Sequence, residues 1–131
     1  MDYILAKDVM ITSIFTIQPK EHVALARLRM LRHGVGALPV VDDDNILLGI
    51  ITLRDIDIAG ERTYELFVKD LMTADLETGR ENTPISEIAE IMLQTGIQRI
   101  PIIEKEGKLI GLITQTIVIR AAMNRLKQLI R

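Results

Sequence analysis

The stretch GIITLRDI at residues 49–56 has a second version in this chain, GLITQTIV at residues 111–118. Both keep a glycine, two apolar residues and a threonine in the same order. The first copy carries Asp55 where the second carries Ile117. This pair of stretches raises two questions: what the duplication builds, and what one aspartate does in only one of its copies.

The duplication extends well beyond these eight residues. KDVM at residues 7–10 recurs as KDLM at residues 69–72, 62 positions later. LPVV at residues 38–41 meets IPII at residues 100–103 at the same separation. No gap is needed from Lys7 through Asp55, which indicates a tandem repeat.

Each repeat predicts the same order of elements. A short polar lead-in and a short extended segment (IFTI, DLET) come first, and an amphipathic helix follows at about residues 22–33 and 84–95. Pro84 suits a first helical turn, and Gly34 and Gly96 suit the left-handed residue that ends a helix. Two apolar strands then flank a polar hairpin, and a second helix begins after Thr52 and after Thr114, the latter running to about residue 130.

The elements give an α+β fold of two β-α-β-β-α repeats. One repeat of about sixty residues buries little apolar surface alone, so we expect the two to pack sheet to sheet about a pseudo-twofold axis. The predicted domains are residues 1–60 (first repeat with its lead-in), a linker at 61–68, and residues 69–131 (second repeat with the C-terminal helix), together one compact module.

Composition excludes several classes of protein. Of 131 residues, 48% are hydrophobic but only 3% aromatic, so the core must be aliphatic. A net charge of −2 argues against a nucleic-acid partner, and the absence of cysteine excludes disulfides and thiol chemistry. No apolar run reaches membrane-spanning length and the N-terminus has no signal-peptide pattern, so we expect a cytoplasmic protein without a membrane partner.

The repeated motifs resemble those of the CBS-domain pair, named after cystathionine β-synthase. The resemblance rests on KDVM and KDLM, on GVGALPVVD and GIQRIPIIE, and on the Gly-x-x-Thr-x-x-Asp pattern from Gly49 to Asp55, and it covers about residues 4–122. It implies the α/β-type CBS fold, with two clefts between the repeats that bind AMP, ADP, ATP or S-adenosylmethionine. It also implies a homodimer that regulates another domain or protein and requires no cofactor.

The Thr-x-x-Asp segment suits a ribose. A carboxylate accepts two hydrogen bonds and a ribose offers two adjacent hydroxyl donors, so Asp55 can clamp both, while Arg54 neutralises a phosphate and Thr52 faces the ligand. By resemblance, the other repeat completes this cleft. The full predicted nucleotide-binding set is Ile50, Thr52, Arg54, Asp55, Met72, Thr73, Glu77, Ile97, Gln98 and Arg99.

A structural interpretation of the same four residues competes with this one. Thr-x-x-Asp is also the pattern of a helix capping box, with Thr52 as N-cap and Asp55 at the third helical position. The two roles are compatible, because the threonine can cap while the carboxylate points into the cleft.

The second copy departs from the pattern, with Ile117 in place of the acid and Thr116 in place of Arg54. We predict that its cleft is empty or weak. By resemblance, that cleft comprises Thr114, Phe15, Val35, Gly36 and Ala37.

Other polar features have ordinary explanations. His22 and His33 belong to no repeated site, and the acidic run at residues 42–44 lacks the spacing of a calcium loop, so we predict no metal site. The C-terminal helix is basic and amphipathic, and we expect its apolar stripe to pack on the module or on a dimer mate.

These observations favour a stand-alone regulatory module that senses an adenosyl ligand and signals to an effector protein. The alternative is a non-catalytic dimerisation or scaffold protein with vestigial clefts. An enzyme ranks last, because no catalytic residues or metal-ligand cluster are visible.

Overall fold

The structure, a computed structural model, describes residues 3–130. It divides into two compact units, which we call the first unit (residues 15–76) and the second unit (residues 3–14 with 77–130). In chain order the elements are α1 (Ala6–Val9), α2 (Val23–His33), β1 (Ala37–Val41), β2 (Leu47–Thr52), α3 (Leu53–Ala59), a 3-10 helix (Gly60–Tyr64), α4 (Val68–Leu71), α5 (Ile85–Thr95), β3 (Arg99–Ile103), β4 (Leu109–Thr114) and α6 (Gln115–Ile130).

Each unit contains one antiparallel hairpin, and the strands of both hairpins are paired at equivalent positions. Ala37 lies opposite Thr52 in β1–β2, and Arg99 lies opposite Thr114 in β3–β4. The extended segments predicted before the first long helices contribute only single parallel bridges, from Ile17 to Val40 and from Gly79 to Ile102. Two small antiparallel sheets among helices confirm the predicted α+β class.

Glycine ends α2 in the first unit and α5 in the second, as predicted. Gly34 has φ 64° and donates its N–H to the Met30 carbonyl, and Gly96 has φ 76° and donates to Met92. The placement of Pro84 in the first helical turn is wrong. With φ −63° and ψ 143° it is the N-cap of α5, because its extended ψ keeps it outside the helix that begins at Ile85.

Aliphatic side chains fill the core of each unit, as the low aromatic content predicts. Fully burying one isoleucine stabilises the fold by about 1.5–3 kcal/mol, so these clusters dominate the stability of each unit. The first core contains Ile17, Val23, Ala26, Met30, Leu38, Val40, Ile51, Ile56 and Val68, and the second contains Ala6, Ile85, Ile88, Met92, Ile100, Ile102 and Ile113.

The lead-in of each repeat packs with the body of the other. Val68 donates its N–H to the Glu21 carbonyl (2.8 Å), and Ala6 donates to the Thr83 carbonyl (2.8 Å). The side chains of Ala6 and Val68 are both fully buried. The compact units therefore divide the chain after residues 14 and 76, whereas the predicted repeats divide it at the linker 61–68.

The helices of the described residues, 3–130, are all too short or too polar to cross a membrane.

Candidate functional site at the strand-to-helix junction

Thr52 and Asp55 form a complete capping box where β2 becomes α3. Thr52 has extended backbone angles (φ −114°, ψ 159°), and its Oγ1 accepts the Asp55 N–H at 3.2 Å. In return Asp55 Oδ2 accepts the Thr52 N–H at 2.9 Å. These reciprocal bonds satisfy backbone donors that a helix start leaves free. The capping interpretation of Thr-x-x-Asp is therefore confirmed.

The cap uses only part of the Asp55 carboxylate. Asp55 is half-buried, and within residues 3–130 its second oxygen, Oδ1, accepts no hydrogen bond. An ionised carboxylate has about four lone-pair sites, so one N–H leaves room for two further donors. The preceding residue, Arg54, is exposed. The junction can cap a helix and still accept two hydroxyl hydrogen bonds.

The segment after α4 lies against β2, two residues before the junction. Ile50 and Thr73 exchange both backbone N–H···O bonds at 2.9 Å. Met72 packs on Gly49, where a Cβ would lie only 2.7 Å from the Thr73 carbonyl oxygen and 3.0 Å from Met72 Sδ. Because Gly49 has no Cβ, Met72 and Thr73 can lie this close to the strand.

The first unit thus brings together six of the predicted nucleotide-binding residues: Ile50, Thr52, Arg54, Asp55, Met72 and Thr73. It also contains four residues predicted for the second cleft. Gly36 accepts the Leu53 N–H at 2.9 Å, Ala37 lies opposite Thr52, Val35 packs on the core, and Phe15 is 43% exposed.

The second unit holds the remaining predicted residues, Glu77, Ile97, Gln98, Arg99 and Thr114. Gln98 accepts the Gln115 N–H at 3.0 Å, and Arg99 lies opposite Thr114. Glu77 and Gln98 are exposed, while Ile97 is half-buried against the core. The assembly of these residues with the first unit's set into clefts remains a prediction.

The equivalent junction in the second unit is half a capping box. Thr114 Oγ1 accepts the Ile117 N–H at 3.3 Å, as in the first unit. Ile117 has no oxygen to accept the threonine N–H, and it packs against the core instead. This junction keeps the hydrogen bond from the third helical N–H to the threonine hydroxyl and lacks the carboxylate of the first unit.

Two further helix caps, at α1 and α4, were not predicted. Asp8 and Asp70, the acids of KDVM and KDLM, accept the backbone N–H groups of Leu5 (2.9 Å) and Phe67 (2.8 Å) and cap the short helices α1 and α4. The signal was present, because an acid at a fixed place in a repeated motif suits a third helical position.

The two histidines also make contacts that their sequence positions did not predict. The His33 ring stacks on Phe15, with centroids 3.7 Å apart, and the His22 ring stacks on Phe67 at 4.8 Å. No periodic pattern relates the members of either pair, so the sequence offered no signal for these stacks.

The acidic run at residues 42–44 forms a turn. Asp42 Oδ1 accepts the N–H groups of Asp44 and Ile46, each at 2.9 Å, and Asp43 accepts a hydrogen bond from Gln18. Across residues 3–130, histidine and acidic side chains do not cluster in groups of three or more that could hold a metal ion.

Comparison with known sequences identifies relatives over most of the chain. Inosine-5'-monophosphate dehydrogenase from Methanocaldococcus jannaschii is 37% identical over 109 residues, which is 83% of this chain. The chain spans only 22% of that enzyme's length, so the similarity does not extend to the whole dehydrogenase. An uncharacterized 17.7 kDa protein from Acidianus ambivalens is 34% identical over 114 residues, covering 86% of this chain and 70% of that protein.

A solved structure has the same fold. The crystal structure of CBSX2 in complex with AMP superimposes with a TM-score of 0.82 at 29% identity, covering 92% of this chain and 96% of that one; CBSX2 is a CBS-pair protein from Arabidopsis thaliana. The CBS domain family matches residues 6–60 and again residues 68–124. The chain therefore belongs to the CBS domain family and carries two CBS domains in tandem.

Proposed function

We propose that this chain is a regulatory module that binds one adenine nucleotide or adenosyl compound at the Thr52–Asp55 junction and signals its occupancy to a partner protein. The observation that carries the proposal is the Asp55 carboxylate. It completes the helix cap with Oδ2 alone and keeps Oδ1 free of hydrogen bonds within residues 3–130. A remaining acceptor on Asp55, together with the exposed cation of the preceding residue, Arg54, suits a ligand that carries both a ribose and a phosphate.

The ligand class is supported by a relative. CBSX2, which is 29% identical to this chain, was crystallised with AMP. The ligands to test are therefore AMP, ADP, ATP and S-adenosylmethionine, which share an adenosyl group and differ in charge beyond the ribose. On this proposal Glu77, Ile97, Gln98 and Arg99 of the second unit complete the site.

Regulation without catalysis follows from the proposed mode of binding. A ligand that binds one conformation of the module better than another shifts the populations of the two by its difference in affinity. We expect a cytoplasmic homodimer whose effector is a separate polypeptide or domain. The effector recognises the ligand-bound conformation.

Thermal unfolding of the wild type and of two aspartate variants tests the proposal. A ligand at 100 times its dissociation constant should stabilise the wild type by about 2.7 kcal/mol, and the adenosyl compound that does so is the ligand. In Asp55→Ala the dissociation constant should rise about 10- to 100-fold, since a hydrogen bond to a charged group contributes about 1.5–3 kcal/mol.

Asp8→Ala is the matched control. It removes an acid at the third position of α1, a helix that neither contains nor adjoins a residue of the proposed site. It should lower the starting stability and keep the ligand-induced shift. If Asp55→Ala keeps the full shift as well, Asp55 serves only as a cap. If the wild type responds to none of the four compounds, the scaffold alternative is the better account.

A further inference from the structure

The second unit contains an open groove of about 580 Å³ at the turn of its β3–β4 hairpin. Residues 80–82, in the loop before α5, line one side, and residues 103–106 with Ile110 line the other. We call it the hairpin groove. Ile103 and Ile110 provide its apolar surface, and both are half-buried. None of these residues belongs to the predicted nucleotide-binding set, so the groove is a separate feature of the chain.

Charged side chains of both signs line the hairpin groove. The cations are Arg80 and Lys105, the acids are Glu81, Glu104 and Glu106, and all five are exposed. Within residues 3–130, none of these five side chains takes part in an ion pair or a hydrogen bond. Their donors and acceptors are therefore available to a ligand, and no contact within the protein has to break when one binds.

The equivalent place in the first unit is closed by a hydrogen bond. Gln18 Nε2 donates to Asp43 Oδ1 at 2.6 Å and so joins the loop before α2 to the turn of the β1–β2 hairpin. In the second repeat, 62 positions later, Arg80 replaces the glutamine and Lys105 replaces the aspartate. Guanidinium and ammonium groups only donate hydrogen bonds, so this pair cannot join directly. Two donors at these positions require an anionic acceptor between them.

The remaining charges show that an anion alone does not suit the hairpin groove. The groove contains one more acid than base, so a bare anion would meet unfavourable charges at Glu81, Glu104 and Glu106. A ligand that also carries an ammonium group turns these acids into acceptors for its N–H donors. The isoleucines add a surface on which an aliphatic group can leave water. The lining therefore matches a small zwitterion with an apolar side chain.

We propose that the hairpin groove binds a free α-amino acid with an aliphatic side chain. Arg80 and Lys105 bind its carboxylate, since a guanidinium can donate two parallel hydrogen bonds to a carboxylate. The acids beside them accept from its ammonium group, and its side chain lies on Ile103 and Ile110. The module then has a second ligand of a different chemical class. This inference is independent of adenosyl binding at the Thr52–Asp55 junction.

An amide-resolved NMR titration of the full chain with L-leucine tests the proposal. Shifts should saturate and concentrate at residues 80–82 and 103–110, with a dissociation constant of about 1 mM for so small a ligand. N-acetyl-L-leucine lacks the ammonium group and L-leucinamide lacks the carboxylate. Each should bind at least about 10-fold more weakly, because each loses the charge-assisted hydrogen bonds of one end.

A double variant transfers the closing pair of the first unit to the second. Arg80→Gln with Lys105→Asp should weaken leucine binding at least about 10-fold, because it removes both cations and allows the loop to bond to the turn. Its amide spectrum shows that it is folded. The matched control, Gln18→Arg with Asp43→Lys, makes the reverse change in the first unit and should leave the leucine-induced shifts of the second unit unchanged. Asp55→Ala should leave them unchanged as well.

Three results would overturn the proposal. The first is the absence of saturable shifts at the hairpin groove up to about 20 mM L-leucine, far above the expected dissociation constant. The second is equal binding of leucine and either of its singly charged analogues, which would show that only one end of the ligand is recognised. The third is full leucine binding by Arg80→Gln with Lys105→Asp.

Discussion

The first and second units make the same backbone contacts around chemically different junctions. Leu53 donates to the Gly36 carbonyl at 2.9 Å, and Gln115 donates to the Gln98 carbonyl at 3.0 Å. The strands before them pair in one register. Yet the third helical residue is a carboxylate in the first unit and an isoleucine packed on the core in the second.

The difference separates the hydrogen bond that both junctions share from the one that only the first contains. Both junctions keep the threonine that accepts the N–H three residues on, at 3.2 and 3.3 Å. In the second unit that bond caps the start of α6 without a reciprocal bond from an acid. A helix start of this type therefore does not require the acid, and the Asp55 carboxylate is what distinguishes the first junction from the second.

The cores should be the most equivalent part of the two units. Ile51 and Ile113 are both fully buried. Replacing either with alanine should lower the free energy of unfolding by about 2–5 kcal/mol, because the lost methyl groups leave a cavity. Urea unfolding of the two variants measures the costs. A difference above about 2 kcal/mol would show that one core relaxes around the cavity and the other does not.

The glycines before the junctions should differ in their tolerance of a methyl group. At Gly49 a Cβ would meet the Thr73 carbonyl oxygen at 2.7 Å, a backbone atom held by a hydrogen bond. At Gly111 it would meet the side chain of Met10, with Cγ at 2.8 Å. We expect Gly49→Ala to cost about 3 kcal/mol and Gly111→Ala about 1 kcal/mol, since a methionine can change rotamer.

Replacing the neighbouring methionines with alanine provides the control for the two glycine variants. In a Met10→Ala background, the additional cost of Gly111→Ala should largely disappear in the same urea titration. In a Met72→Ala background, Gly49→Ala should remain costly, because the backbone oxygen is still present. Equal relief in both backgrounds would show that the side chains, rather than the Thr73 carbonyl, limit the space at Gly49.

The threonine caps should give the smallest effects and the closest match. Thr52→Ala and Thr114→Ala each remove one side-chain acceptor from a helix start, so each should cost about 1 kcal/mol by thermal or urea unfolding. Thr52→Ser and Thr114→Ser retain the hydroxyl and should retain most of the stability. If Thr52→Ala costs more than twice as much as Thr114→Ala, the reciprocal bond to Asp55 is coupled to the threonine bond.

Local sequence signals predicted most of the fold. The hairpins were visible as apolar runs around polar turns, and Gly34 and Gly96 ended their helices at the predicted residues, because each signal acts within a few neighbouring residues. The exchange of lead-ins was not predicted. Segments as short as KDVM and KDLM show no periodicity that would reveal which body they join, and that choice is made by buried contacts of Ala6 and Val68 distant in sequence.

The Thr52–Asp55 junction also shows which features the sequence could and could not predict. Thr-x-x-Asp predicted the capping box, and the structure contains it. Sequence could not show that only Oδ2 of Asp55 is engaged, because that depends on the side-chain rotamer. Nor could the sequence show that Ile119, Met123, Leu126 and Ile130 of α6 are exposed, since the same apolar spacing would suit a helix packed on its own unit.

The exchanged lead-ins impose an order on folding during synthesis. Residues 15–76 are continuous, so the first unit has all of its parts as soon as residue 76 leaves the ribosome. The second unit joins residues 3–14 to residues 77–130, so residues 3–14 must wait until the later segment has been synthesised. The first unit lies between these two segments in the sequence. Folding it beforehand reduces the loop-closure entropy that is lost when the two segments come together. Residues 3–14 thus remain open to chaperones and proteases for some time after the first unit is complete.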